Sequence, residues 1–333
     1  MKSTLLKNRF ATAGVVVFAI TIVALQASHA RLQTPLLKVE KKITIPGGPG
    51  GFDWMLVDRN TERLYATHKG TKSCAIVDLR TDMALTSPVI GTAQGVAVAK
   101  AAGKIYLGDA DEKKIAVLDN KTMKKVGEIA VEGPVDDVIF CEKNGMIYAD
   151  HDDGEHVWVI NPKTDKIVGT VRIPEAPEKM EYDPATERIY QNIKSNNTVQ
   201  VIDPMTNKVV RIFKTEQAVG PHGIALDSKA GRIYVAGKNG KLVVIDIKSG
   251  NVIQAVSIAQ GTDQIAIDHA KKRIYCACKN NISVVEITDS GAKLLGNVPT
   301  PDSAHTIAVD SQTHAVWTCY FDASGSYLLK LLP

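Results

Sequence analysis

The chain has 333 residues, with 40 Lys and Arg against 36 Asp and Glu and a formal charge of +4. Length alone would allow two domains. The basic excess sits in the first thirty residues, where Lys2, Lys7 and Arg9 meet no acid. Without that segment, 37 basic residues face 36 acidic ones. Such a near-neutral chain has no overall pull toward phosphate backbones, which argues against nucleic acid as a partner.

Residues 1–30 read as a secretory signal. A basic start is followed by an apolar run of 16 residues from Phe10 to Leu25, then by Ser28-His29-Ala30, a small-x-small cleavage site. The rival reading is a membrane anchor, but the run falls short of the ~20 residues needed to span a bilayer. The expectation is a signal over 1–30, a single domain over 31–333, no membrane span after cleavage, and a periplasmic or secreted location.

Leu37 to Ile45 is a first strand-like segment, Leu-Lys-Val-Glu-Lys-Lys-Ile-Thr-Ile. After it, one pattern recurs seven times at intervals of about 40 residues. Its clearest copy runs Gly223-Ile-Ala-Leu-Asp227, Gly231-Arg-Ile-Tyr-Val235, Leu242-Val-Val-Ile-Asp246 and Asn251-Val-Ile-Gln-Ala255. The Ile/Leu-Tyr pair returns at Leu64-Tyr65, Ile105-Tyr106, Ile147-Tyr148, Ile189-Tyr190 and Ile274-Tyr275, ending as Val316-Trp317. Short apolar runs rich in Val, Ile and Tyr, separated by turn clusters such as Lys238-Asn-Gly240, are strands and hairpins. A repeat of this length built from them is a β-propeller with one four-stranded blade per repeat. The seventh repeat, from Ser303, has room for only three strands. The predicted fold is therefore an all-β, seven-bladed propeller. Its ring closes by pairing the N-terminal segment with the last blade, which removes a free sheet edge.

The five cysteines are Cys74, Cys141, Cys276, Cys278 and Cys319, an odd number that cannot pair fully within one chain. A Cys278–Cys319 bridge is one reading; small buried apolar side chains are the other. The many lysines fall in hairpin turns and read as solvated loop tips.

Superposing the repeats separates what every blade needs from what this chain alone needs. The position just before each innermost strand holds Asp53, Gln94, Asp136, Glu178, His222, Asp263 and His305. All seven are polar, and propeller geometry brings them to the channel mouth as a ring. A second set, at the end of the following strand, holds His68, Asp109, His151, Ile193, Gly237, Cys278 and Tyr320. A polar mouth that merely holds ordered water explains much of this pattern. Converging carboxylates and imidazoles also suit a divalent metal ion, with Asp53, Asp136, Glu178, His222, Asp263 and His305 as candidate ligands. His68 and His151 are then the candidate catalytic acid or base, since histidine titrates near neutrality. Trp54 follows Asp53 and is a candidate platform at the mouth.

The segments Arg232-Ile-Tyr-Val-Ala-Gly-Lys-Asn-Gly-Lys-Leu-Val-Val-Ile-Asp246 and Arg188-Ile-Tyr-Gln-Asn, followed by Thr198-Val-Gln-Val-Ile-Asp203, resemble the YVTN β-propeller repeat family. The resemblance spans nearly all of residues 31–333. It implies an exported seven-bladed propeller, in a family that includes a DNA-binding branch. Lyase- and lactonase-type propellers look similar in architecture and use a metal or acid/base residues at the channel mouth, to which His222 and the other ring positions loosely correspond. Two functions follow as expectations. One is a metal-assisted hydrolase or lyase acting on a small molecule. The other is a non-catalytic scaffold that binds a ligand or protein on the same face. A monomer is expected.

Overall fold

The computed structural model describes residues 35–86 and 88–333. The signal-like segment and its Ser28-His29-Ala30 site lie outside them. Seven four-stranded antiparallel sheets follow one another along the chain; six pair four consecutive strands in sequence order, and the seventh adds the N-terminal strand to the last three. The innermost strands are Trp54–Asp58, Ala93–Ala99, Val138–Cys141, Pro177–Asp183, Pro221–Asp227, Ile265–Asp268 and Ile307–Val309. Each touches the next, and the seventh touches the first, so the sheets form a closed seven-bladed propeller around a channel.

Closure follows the expected route. The N-terminal strand Lys38–Ile45 pairs antiparallel with the last strand, Gly325–Leu332, from Lys38 against Leu332 to Ile45 against Ser326. Its Ile43 and Ile45 are buried with Trp317 and Leu328 of blade 7 and Leu64 and Val77 of blade 1. One strand thus completes the seventh sheet and seals it to the first.

Burial explains the sequence pattern across each blade. The two middle strands lie between neighbouring blades and are buried on both faces, which is why Lys241–Asp246 reads as a nearly unbroken apolar run. The outermost strand faces solvent on one side, and Val252–Ser257 alternates accordingly. The recurring tyrosines are fully buried. Two of them tie a blade to the next: the Tyr106 hydroxyl donates to Asp165 at 2.6 Å and the Tyr148 hydroxyl to Asn207 at 2.8 Å. All five cysteines are free and buried, so the Cys278–Cys319 bridge does not form. Among the described residues no helix is long and apolar enough to cross a membrane.

Candidate functional site

The chain enters each innermost strand from the same end of the ring, and there the backbone is irregular. Pairing register shifts between Ala93 and Val96 in blade 2, between Pro177 and Met180 in blade 4, and between Pro221 and Gly223 in blade 5. Bulges of this kind re-aim side chains out of the sheet. Gln94, Glu178 and His222 sit inside them and turn toward the axis. Asp53, Gln94, Asp136, Glu178, His222 and Asp263 line one cavity of about 160 Å³ at the channel mouth. His305, the seventh ring position, joins them through Asp263: its Nδ1 lies 2.6 Å from Oδ2.

The second set behaves differently. His68 is fully buried away from the cavity. It stacks on Phe52 with ring centroids 4.3 Å apart, and its Nε2 lies 2.9 Å from Ser326 Oγ and 3.1 Å from the Gly50 carbonyl oxygen. It therefore clasps the loop after the N-terminal strand to blade 7. His151 stacks on Trp158 at 4.9 Å and meets Asp153 at 3.0 Å. Asp109 accepts the amide hydrogens of Asp111 and Glu112 and holds a turn. None of the three lines the mouth.

Of the residues one place further along, Asp152 and Lys194 line it, and Lys69 and Lys238 reach acids that do. Lys69, next to His68, stands 3.4 Å from Asp53. Asp152, next to His151, and Lys194, next to Ile193, both line the cavity and meet at 3.1 Å. Lys238, next to Gly237, reaches Asp263 at 2.7 Å. Successive strand residues face opposite sides, so a shift of one position exchanges the mouth-facing set for the buried one. The lysines expected at solvated tips are therefore part of the site. Lys179, immediately after Glu178, lies with its ammonium 4.0 Å from the centroid of the Trp54 ring.

These contacts order the charges. Asp53 faces Lys69, while the Gln94 amide donates to Asp136 at 3.0 Å. Glu178 receives Lys194 at 2.6 Å and lies 3.3 Å from His222 Nε2. Burial, reinforced by Glu178 and Asp150, drives the Asp136 carboxyl well above the usual carboxylate range. Burial likewise pushes Glu178 up to about 7, although Lys194 opposes it. Burial and then the charge of Lys238 push His222 down to about 4, so its ring is neutral. Burial alone would raise Asp263, but the hydrogen bond from His305 and the charge of Lys238 outweigh it and hold the group ionised. His305 is raised in turn: burial pulls it down, and its bond to Asp263 more than compensates.

His222 Nδ1 lies 2.8 Å from the Gly220 carbonyl oxygen, which can only accept, so the ring proton resides on Nδ1. Its Nε2 lone pair then faces Glu178 Oε1. Two acceptors meet there unless the carboxyl carries a proton, in keeping with the raised Glu178. Among the described residues, no three His, Cys, Asp or Glu side chains are grouped as metal ligands.

A closed propeller with a charge-ordered polar mouth is the class of protein that the fold and the cavity define. The family match is to "Domain of unknown function (DUF5074)" over residues 89–262, more than half of the chain, and the chain belongs to that family. No curated protein sequence matches it. Among solved structures it is similar to a chain of Kuenenia stuttgartiensis hydrazine synthase, with a TM-score of 0.74 over 86% of this chain and 97% of that one. The two are 14% identical, so the likeness is one of fold.

Proposed function

We propose that the protein is a recognition module that holds a small zwitterionic molecule at its channel mouth, in the periplasm or outside the cell. The signal-like first thirty residues and the YVTN-type likeness of the repeats support the location. The pairing of opposite charges around the cavity carries the function. Asp53, Glu178 and Asp263 each stand beside a lysine, and burial pushes the Asp136 carboxyl upward. A ligand ammonium is met by Asp53 and Asp263; a ligand carboxylate is met by Lys194, Lys238 and His305.

This arrangement suits a divalent cation poorly. Such an ion needs carboxylates free to bind it, and here it would first have to displace three ammonium groups. The scaffold reading is therefore better supported than metal-assisted hydrolysis. One observation favours a second reading, acid–base catalysis without a metal: Glu178 and His222 hold a proton between them near neutrality, as a general acid requires.

Calorimetric titration with glycine, acetate and ethylammonium tests the proposal. Glycine is expected to bind more tightly than either half-molecule, and Asp263→Asn and Lys238→Met are each expected to weaken it. Acetate or ethylammonium binding as well as glycine would overturn the reading. So would a stoichiometric metal in the purified protein that His222→Ala and Asp136→Ala both lose.

A further inference from the structure

Blades 1 and 4 stand three places apart in a ring of seven, yet their side chains meet. Trp54 of blade 1 and Lys179 of blade 4 are in cation–π contact across the channel. Both residues line the mouth cavity, and both line a second cavity of about 310 Å³ that runs down the channel. The pair is thus the floor of one space and the roof of the other. The lower space has a different chemistry. Leu56, Val98, Ile139 and Phe140 supply apolar wall, and the carboxylates of Asp58, Asp137, Glu142 and Glu181 line it beside them. Lys179 Nζ also lies 3.4 Å from Glu181, one turn of the strand pleat further down the channel. A lysine on a four-carbon stem that already reaches a carboxylate below it can leave the indole face without losing its counter-charge.

We propose that the channel chamber is the second half of the binding site. It takes the apolar tail of a zwitterion whose charged head sits among the mouth residues, and Lys179 swings off Trp54 to admit it. The ligand class is a small amino acid or similar zwitterion with an unbranched apolar or aromatic tail. The tail would exchange water for aliphatic wall and for the uncovered indole face. This inference rests on the reading of the mouth as a zwitterion site.

Glycine and L-norleucine are the probes, since they share the head and differ only in the tail. Each buried methylene is worth about fourfold in affinity and the norleucine side chain adds the equivalent of four, so norleucine is expected to bind roughly 250-fold more tightly than glycine. Intrinsic fluorescence gives a second readout, because Trp158 and Trp317 are buried at 1% exposure while Trp54 faces both cavities. Norleucine is expected to change the emission more than glycine does. Val98→Trp fills the chamber from a wall that does not line the mouth. It is expected to bring norleucine down to the affinity of glycine while glycine is unaffected. Should that variant fail to fold, Lys179→Ala serves instead and is expected to favour norleucine over glycine still further. Equal affinities in the wild type would overturn the tail site and leave the mouth reading standing. A tail advantage that survives a folded Val98→Trp protein, or that Lys179→Ala does not increase, would also overturn it. Binding of neither probe would overturn both.

Discussion

Glu178 and His222 exchange the usual order of their proton affinities on folding. In the unfolded chain the imidazole binds the proton first; in the cavity the carboxyl does, with Glu178 at about 7 and His222 at about 4. The signs of the two effects on stability are opposite. Glu178 is raised, so between its ordinary value of 4.5 and about 7 the folded state binds more protons, and stability falls as pH rises. His222 is lowered, so between its ordinary value of 6.5 and about 4 the folded state binds fewer, and stability falls as pH falls. Together they nearly cancel. Glu178→Gln removes the first effect and leaves the second. Relative to wild type, the melting temperature of this variant is expected to climb from pH 5 to pH 7.5, by an amount on the order of a few degrees. Parallel pH curves for the two proteins would contradict the shared proton.

Between elements, amides of the inner ring do the tying. Gln264 of blade 6 donates to the Met55 carbonyl of blade 1 at 3.0 Å and accepts from the Ile307 amide of blade 7 at 3.1 Å. Asn192 of blade 4 donates to the His222 carbonyl of blade 5 at 2.8 Å, and Gln191 donates to Asp150 of blade 3 at 3.0 Å. Gln264→Leu keeps much of the volume and strands two buried backbone groups, at about 1–3 kcal/mol each. Urea unfolding is expected to register that loss, and an unchanged midpoint would contradict the tie. These details mark where the sequence stops being legible. The repeat spacing, the strands and the ring from Asp53 to His305 can be read because every copy carries the same landmarks. The second set cannot, because a strand's two faces differ by one residue and the repeats do not say which face meets the channel. His68 and His151 attract attention as catalytic types, while Lys69 and Lys194 beside them look like ordinary turn lysines. A test of net charge along the mouth would have pointed to the lysines, since a ring of carboxylates packed this closely needs counter-charges.

At the scale of the whole molecule, the single strand Lys38–Ile45 holds the ring shut. It buries Ile43 and Ile45 against both flanking blades and supplies the seventh sheet with its outer edge. Deleting residues 31–46 exposes the last strand and opens the interface between blades 7 and 1. The expected cost is on the order of several kcal/mol, counting the two isoleucines alone at about 1.5–3 each. Thermal melting checks this, and a truncated protein that melts with the parent would contradict closure by this strand.

The same pairing bears on how the protein is made. Lys38 and Leu332 are partners across nearly the entire polypeptide. Blades 1 to 6 can each assemble from contiguous residues, one after another along the chain. The first strand cannot, because its partner lies beyond all six of them in the chain. Until then it waits with Ile43 and Ile45 unburied and a ladder of backbone groups unpaired, the kind of edge that invites wrong partners. The entropy of joining segments so far apart grows only slowly with length, so the finished ring is stable, but the strand stays unpaired until the last blade is available. The interval most exposed to aggregation thus ends only when the seventh blade has formed.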